Sequence, residues 1–296
     1  MENIISVKMK DESFKGLTTL TIRGKIFRTN QKGEDIMSNL IADKSEWLKK
    51  ELHYYHKETG IFMPNEIFDD LQKETDSFNH ASVAYSFYYL YSYLWRYAKF
   101  AYNDFNVKKI KTILGFNENT KSIDHIIKKG GMLDKIKYTE SVNDYPIKWS
   151  FDLNEGAQFV MLSETELKPR VNSRQKFPLK GYYRTEEKNI LNGVFYDIAN
   201  THLIRPSVFI KCMSEEKLKW GSFYIYGKIQ SKMYAYDENR KWFISRESFS
   251  KELNIKIDTL FKYTDALEEF ELIKIDHRDY KNNPERLANG YRTSPA

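Results

Sequence analysis

The chain of 296 residues has little of what disulfide-bonded, thiolate-metal or membrane-spanning proteins need. Its single cysteine, Cys212, excludes an internal disulfide and a zinc site built on several thiolates. No apolar run approaches the ~20 residues that a membrane-spanning helix requires. The first residues lack the basic start and long apolar stretch of a signal peptide, so we expect a cytoplasmic protein without a membrane partner.

The sequence also lacks the motifs of common enzymes. It contains no glycine-rich loop ending in Gly-Lys-Ser/Thr, no Gly-x-Ser-x-Gly and no His-x-His pair. His53 and His56 have a spacing that can place two metal ligands on one helix face, but no third ligand follows at a convincing spacing. We therefore predict no catalytic site, no metal and no cofactor.

Aromatic and charged side chains, in contrast, are abundant. Aromatic residues make up 15% of the chain and charged residues 30%, a composition that excludes disorder as the main state. Lysine and arginine number 47 against 41 acidic residues, which gives a net charge of +6. This mild excess permits an anionic partner without requiring one, because the distribution of charge matters more than its sum.

Turn signals and composition divide the chain into four parts. We predict an N-terminal extension of strands and short helices over 1–70, with a strand or hairpin arm at Leu17–Phe27. A first domain follows over 71–160, then a basic linker with a connecting helix over 161–210, and a second domain over 211–296. The length also agrees with roughly two domains.

The first domain begins with an aromatic helix over 79–102, apolar almost all round and therefore central. Asn106 is a good cap for a following helix, which Gly115-Phe116 interrupts. We expect a second helix over 119–129, ended by Gly130-Gly131, and then a two-stranded hairpin whose turn is Glu140–Asp144. The predicted order is helix, turn, helix, hairpin.

Residues 245–290 repeat this order. Ser245 caps a helix, Asn254-Ile255 forms the turn, Asp258 caps a second helix, and Leu272 begins a strand before a long polar wing. The linker is predicted to carry a helix over 186–203 and a strand at Val208–Lys211.

The two segments form an internal repeat. Leu114-Gly-Phe116 corresponds to Leu253-Asn-Ile255, and Ile127–Leu133 corresponds to Leu267–Ile273. We interpret them as two copies of one unit. The predicted fold class is α+β and predominantly helical, with two winged helix-turn-helix domains in tandem and a short β-containing N-terminal extension.

A winged helix binds DNA by placing its second helix in the major groove, while the wing contacts the backbone. Asparagine can pair with adenine, and lysine can contact guanine or phosphate. The candidate DNA-binding residues are the polar and basic ones of the two second helices, the first helix of the second copy, the wings and the linker: Asn117, Asn119, Thr120, Lys121, Ser122, His125, Lys128, Lys135, Lys137, Arg174, Lys176, Arg246, Ser248, Lys256, Thr259, Lys262, Arg278 and Lys281.

Other interpretations of these residues remain open. Lysine-rich helix surfaces are common for solubility alone, and charge runs such as the linker are usually solvated loops. The second copy has several acidic residues in its second helix, so dimerisation is an alternative role for it.

Ile244–Ile255 followed by Leu267–Ile275 resembles the helix-turn-helix and wing entry of plasmid and phage replication initiators. The resemblance implies binding to repeated origin sites on double-stranded DNA, distortion of an AT-rich region, and recruitment of host replication proteins. It also implies a homodimer that represses and a monomer that initiates. A phage or plasmid transcriptional regulator is the alternative function, and an adaptor whose winged helices bind proteins without reading DNA is a further one.

Overall fold

The computed structural model describes residues 6–8, 18–22, 25–29, 44–102, 104–152, 156–166, 174–181, 200–233, 241–277 and 288–294. Contacts divide the chain into two compact units, 1–47 and 48–296. The fold is α+β: about half of the described residues are helical, and the sheets are small and antiparallel. The division into domains at 70, 160 and 210 stays a prediction.

Unit 1–47 contains three short strands: β1 (Ser6–Lys8), β2 (Thr18–Ile22) and β3 (Lys25–Thr29). They form one antiparallel sheet in the order β1-β2-β3, and Leu20 lies opposite Phe27. The segment Leu17–Phe27, predicted from its β-branched run to be a strand or hairpin arm, contains β2 and the first part of β3.

A long aromatic helix lies at the centre of unit 48–296. Three elements lead to it: α1 (44–51), β4 (Ile61–Pro64) and α2 (Ile67–Glu74). The long helix, α3 (Phe78–Arg96), buries side chains on every face, as its all-round apolar sequence predicts. Ser77 caps it by accepting a hydrogen bond from the His80 N–H at 3.3 Å.

The predicted second helix over 119–129 is wrong. Three short helices follow α3: α4 (Val107–Ile113), α5 (Asp124–Ile127) and α6 (Met132–Lys135). Asn106 caps α4 as predicted, accepting from the Lys109 N–H at 3.0 Å. The helix fails to start at Asn119 because the Asn117 Oδ1 accepts from the Asn119 N–H at 2.9 Å, a local turn that competes with helix formation.

The predicted hairpin around Glu140–Asp144 is also wrong. Four strands are present: β5 (Thr139–Val142), β6 (Pro146–Asp152), β7 (Gly156–Met161) and β8 (Gln175–Pro178). β5 pairs with β8, and β6 pairs with β7. Part of the predicted linker loop is therefore a strand, whose four residues are all buried. The pattern of neighbouring residues could not predict that β5 pairs with a strand more than thirty residues away in the sequence.

The next elements are β9 (Thr201–Ile204), α7 (Pro206–Ser214) and α8 (Lys219–Lys232). β9 pairs with β4, so the end of the helix predicted over 186–203 is a strand instead. Residues 182–199, which hold the rest of that prediction, lie outside the described residues. The strand predicted at Val208–Lys211 is part of α7, because Pro206 at the first helical position starts a helix.

The last elements are β10 (Trp242–Ile244), α9 (Arg246–Glu252), α10 (Ile257–Glu269), β11 (Ile273–Asp276) and β12 (Asn289–Thr293). Their strands form one antiparallel sheet in the order β10-β12-β11. Ser245 caps α9 as predicted, accepting from the Ser248 N–H at 3.0 Å. Helix α10 begins one residue before the predicted cap, Asp258.

A shared core joins α3 to α8. Tyr85 and Tyr224 make an edge-to-face contact with ring centroids 5.5 Å apart, and a side chain at Gly227 would collide with Tyr85. The Tyr85 hydroxyl lies 2.6 Å from the His202 Nε2, and Asn65 Oδ1 lies 2.8 Å from His202 Nδ1. Burial, with the nearby Lys228 charge, lowers the pKa of His202 to about 3, so the ring is neutral at pH 7.

Helices α4 and α9 end in the same way. Gly115 has φ +83°, and the Phe116 N–H donates to the Lys111 carbonyl at 2.8 Å. Asn254 has φ +52°, and the Ile255 N–H donates to the Ser250 carbonyl at 3.0 Å. Both ends have a left-handed residue after the helix and a bond back across it. The predicted equivalence of the two turns agrees with this geometry.

Helices α6 and α10 also end alike. The left-handed residues are Lys137 (φ 61°) and Glu271 (φ 60°). The next N–H groups donate back at 2.8 Å to Leu133 and at 2.9 Å to Leu267. Leu133 is therefore the counterpart of Leu267, and the predicted match of Ile127 with Leu267 is shifted by six residues. The first copy has extra residues between its two turns, and there its second helix is divided into α5 and α6.

Candidate nucleic-acid interface

The exposed residues of 117–137 form a polar surface, which we call the lysine surface. Of the predicted site residues, one is half-buried, Thr120. The others on this segment are exposed: Asn117, Asn119, Lys121, Ser122, His125, Lys128, Lys135 and Lys137. Lys129 is exposed as well. The structure thus brings the first-copy candidates to solvent, although most of them lie on loops and not on a continuous helix.

Two internal lysines neutralise the carboxylates of this surface, and the first is Lys111. It is 4% exposed, and its Nζ lies 2.5 Å from Asp124 Oδ1. The same ammonium donates to the Thr120 carbonyl. Asp124 also pairs with Lys128 at 2.7 Å, and these two lysines hold the pKa of the Asp124 carboxyl below its usual range.

The second internal lysine is Lys176 on β8. It is 6% exposed, and its Nζ lies 2.5 Å from Asp134 Oδ2 and 3.3 Å from the Lys128 carbonyl. Burial lowers the pKa of Lys176, and the Asp134 charge opposes this shift. Lys176 was predicted to contact DNA; because it is buried and paired, we leave it out of the proposed contact surface.

Asp134 organises the glycine turn beside it. Its Oδ2 accepts from the Gly130 N–H at 2.7 Å, and its Oδ1 accepts from the Thr139 hydroxyl at 2.6 Å. Gly130 has φ +73°, and a side chain at Gly131 would press against three backbone carbonyls. The position of the turn between α5 and α6 therefore depends on glycine and on one carboxylate.

The remaining charge of the lysine surface is positive. Segment 107–137 contains eight lysines and three acidic residues, a net charge of +5. The third acid, Glu118, lies 4.0 Å from Lys108. Among the described residues of segment 107–137, the exposed lysines without an ion pair are Lys121, Lys129, Lys135 and Lys137. Such a surface attracts a polyanion, and its attraction falls as salt rises.

The corresponding helix of the second copy presents a different surface. The exposed stripe of α10 consists of residues at helical spacing: Asp258, Lys262, Asp265 and Glu269. Segment 246–271 carries four basic and seven acidic residues, a net charge of −3. Of the predicted contacts here, Lys256 and Lys262 are exposed and Thr259 is half-buried. A phosphate approaching this stripe meets more negative than positive charge.

The other predicted site residues lie apart from both stripes or outside the described residues. Arg246 covers the Phe261 ring at 4.0 Å, and Ser248 accepts a hydrogen bond from the Ser245 hydroxyl at 3.0 Å. Arg174 is exposed just before β8. Arg278 and Lys281 lie outside the described residues.

Sequence reasoning missed the two neutralising lysines. Lys111 follows the buried Ile110 and has an acid thirteen residues later, which is a weak signal for an internal pair. Lys176 gives no such signal, because its partner Asp134 reaches it only through the pairing of β5 with β8.

No family model, curated protein or solved structure matches the chain. In the described part of the chain, no group of three or more histidine, cysteine or acidic side chains is placed to hold a metal ion. No helix among the described residues has the length and apolar character needed to cross a bilayer.

Proposed function

We propose that this protein binds double-stranded DNA through winged-helix units and acts as a plasmid or phage replication initiator. The observation that carries the proposal is the lysine surface: four exposed lysines without ion pairs surround acids that are already neutralised from inside. Segment 107–137, which contains this surface, has a net charge of +5, and such a concentration of positive charge is the electrostatic footprint expected for phosphate contacts.

The strand and helix order supports winged-helix units. The order β10-α9-α10-β11-β12, with β12 paired between the other two strands, is that of a winged helix-turn-helix. In the first copy, the two matching helix ends and the antiparallel pairing of β5 with β8 support the same plan. In this proposed plan, the β6–β7 hairpin is the candidate for the wing.

The shape of the first copy favours backbone contacts over base reading. Helix α5 has four residues, which is about one turn and too short to fill a major groove. We therefore assign Lys121, Lys129, Lys135 and Lys137 to phosphates. Asn119 remains the candidate for a base contact, because its side chain is exposed on the loop before α5.

A second candidate function is supported for the other copy. The acidic stripe of α10 favours a protein partner over DNA, as in the adaptor alternative. A host replication protein or a second copy of the chain is the partner that this alternative proposes.

The first experiment measures binding of the purified chain to labelled duplexes at two salt concentrations. The duplexes are AT-rich repeats from the region flanking the gene and a random sequence of equal length. We expect nanomolar to micromolar binding that weakens as salt rises, with a preference for the repeats. Binding that is absent, or that has no salt dependence, would overturn DNA binding as the function.

A second experiment separates initiator from regulator. The gene with its flanking repeats is cloned into a plasmid that cannot replicate in the host. We expect autonomous replication. DNA binding without replication, together with repression of a reporter placed behind the repeats, would favour the transcriptional regulator.

A further inference from the structure

We propose that Lys176 and Lys111 are positioning residues of the DNA interface: each removes the negative charge of one surface carboxylate and ties the loop that carries the exposed lysines. The inference rests on the proposed function. It concerns two side chains that cannot themselves reach phosphate, because both are buried.

Each ammonium contacts one carboxylate and one backbone carbonyl of the same loop. Lys176 contacts Asp134 and the Lys128 carbonyl, at 2.5 and 3.3 Å. Lys111 contacts Asp124, at 2.5 Å, and the Thr120 carbonyl. Two segments carry exposed lysines, one around Lys121 and one around Lys129. Each of them is therefore held against the rest of the protein by the ammonium of one buried lysine.

The body of the protein holds Lys176 in turn. The Trp95 Nε1–H on the central helix donates to the Lys176 carbonyl at 2.6 Å, and Gln175 and Phe177 beside it are buried. Because the backbone of Lys176 is already fixed by these contacts, placing its ammonium beside Asp134 costs little additional conformational entropy. An exposed pair would contribute less, because solvent and salt screen it.

Electrostatics predicts opposite effects for the two members of a pair. Replacing Lys176 by Met leaves the Asp134 carboxylate unneutralised on a surface that binds phosphate. Replacing Asp134 by Asn removes that carboxylate and keeps the positive charge. A role limited to holding the loop would make both changes weaken DNA binding, since each breaks the same contact.

The test compares four proteins: wild type, Lys176→Met, Asp134→Asn and the double variant. Affinity for a random duplex is measured over a range of salt concentrations, below the unfolding temperature of every variant. We expect Lys176→Met to weaken binding about 10-fold at ~50 mM salt and to lower the salt slope by about 1. We expect Asp134→Asn, which loses a contact that positions the turn but keeps the positive charge of Lys176, to bind within about 3-fold of wild type, and the double variant to bind more tightly than Lys176→Met.

The same design applies to Lys111→Met and Asp124→Asn as an independent pair. Equal weakening by Lys176→Met and Asp134→Asn, or an unchanged slope in Lys176→Met, would overturn the proposal while leaving DNA binding intact. Failure of the wild type to bind any duplex would instead overturn the proposed function.

Discussion

Segments 107–137 and 246–271 share their turns and differ in their net charge. Both first helices have polar N-caps and left-handed C-terminal residues, and both second helices end in the same hydrogen-bonded turn. Yet segment 107–137 has a net charge of +5, while segment 246–271 has −3. Corresponding turns recur in the two segments because they need only local hydrogen bonds, whereas the net charge depends on exposed side chains that those turns do not constrain.

A second difference lies inside the first copy. Two of its three acidic residues, Asp124 and Asp134, are paired with buried lysines. The acids on the α10 stripe are exposed, and Glu269 there pairs with the exposed Lys217. Three further measurements test how the two segments differ in charge, in their shared core and in their turns.

The largest effect is expected from exposed lysines of the first copy. Replacing Lys121, Lys129, Lys135 and Lys137 together by Ala should weaken duplex binding by roughly 10³-fold at ~50 mM salt, or about 4 kcal/mol, because up to four phosphate contacts are lost. The salt slope should fall by about 3 to 4. Binding is measured by fluorescence anisotropy across a salt series.

The matched control removes four exposed lysines of the second copy: Lys251, Lys256, Lys262 and Lys274. This control should change affinity by less than about 3-fold, since these lysines lie among acidic residues. If the control variant loses as much affinity as the first, the assignment of DNA contact to the first copy fails.

The next effect concerns the core that joins the copies. His202 has its pKa lowered to about 3 in the folded state, against 6.5 when unfolded. Below pH 6.5 the unfolded chain therefore binds a proton that the folded chain does not, so stability falls as pH falls toward 3. From this residue we expect a loss of about 2 kcal/mol between pH 7 and pH 5.

Urea unfolding at both pH values, with His202→Gln as the control, measures this contribution. The variant keeps a polar group near Tyr85 but has no titrating ring, so its pH dependence should be smaller by about 2 kcal/mol. Circular dichroism and tryptophan fluorescence should give one coincident transition, because α3 and α8 share the core. Parallel pH profiles, or separate transitions, would contradict a core shared by the two copies.

The smallest effect separates the two left-handed turns. Gly115→Ala should cost about 1–2 kcal/mol, because alanine is strained at φ +83° even though the space around Gly115 is open. Asn254→Gly should change stability by less than about 0.5 kcal/mol, since asparagine already tolerates this conformation. A cost below about 0.5 kcal/mol for Gly115→Ala would contradict a left-handed backbone at that position. Thermal unfolding of both variants provides the measurement.

Local signals in the sequence determined much of the second copy and of the helix ends. The caps Asn106, Ser77 and Ser245 lie in short polar-to-apolar transitions, and the breaks at Gly115 and Asn254 require residues that accept a left-handed backbone. The same holds for α3, whose aromatic residues leave it no polar face. These features depend on neighbours within a few residues, so the chain encodes them directly.

The pairing of the strands and the burial of Lys111 and Lys176 depend on contacts between elements that are distant in the sequence. Thr139 could not be matched with Pro178 from local patterning, and that pairing is what places Lys176 beside Asp134. The secondary-structure preferences of lysine are the same whether its ammonium lies in solvent or pairs with a carboxylate inside the protein. The difference between Lys176 and Lys135 comes from long-range packing, because burial and partnership depend on which distant elements meet.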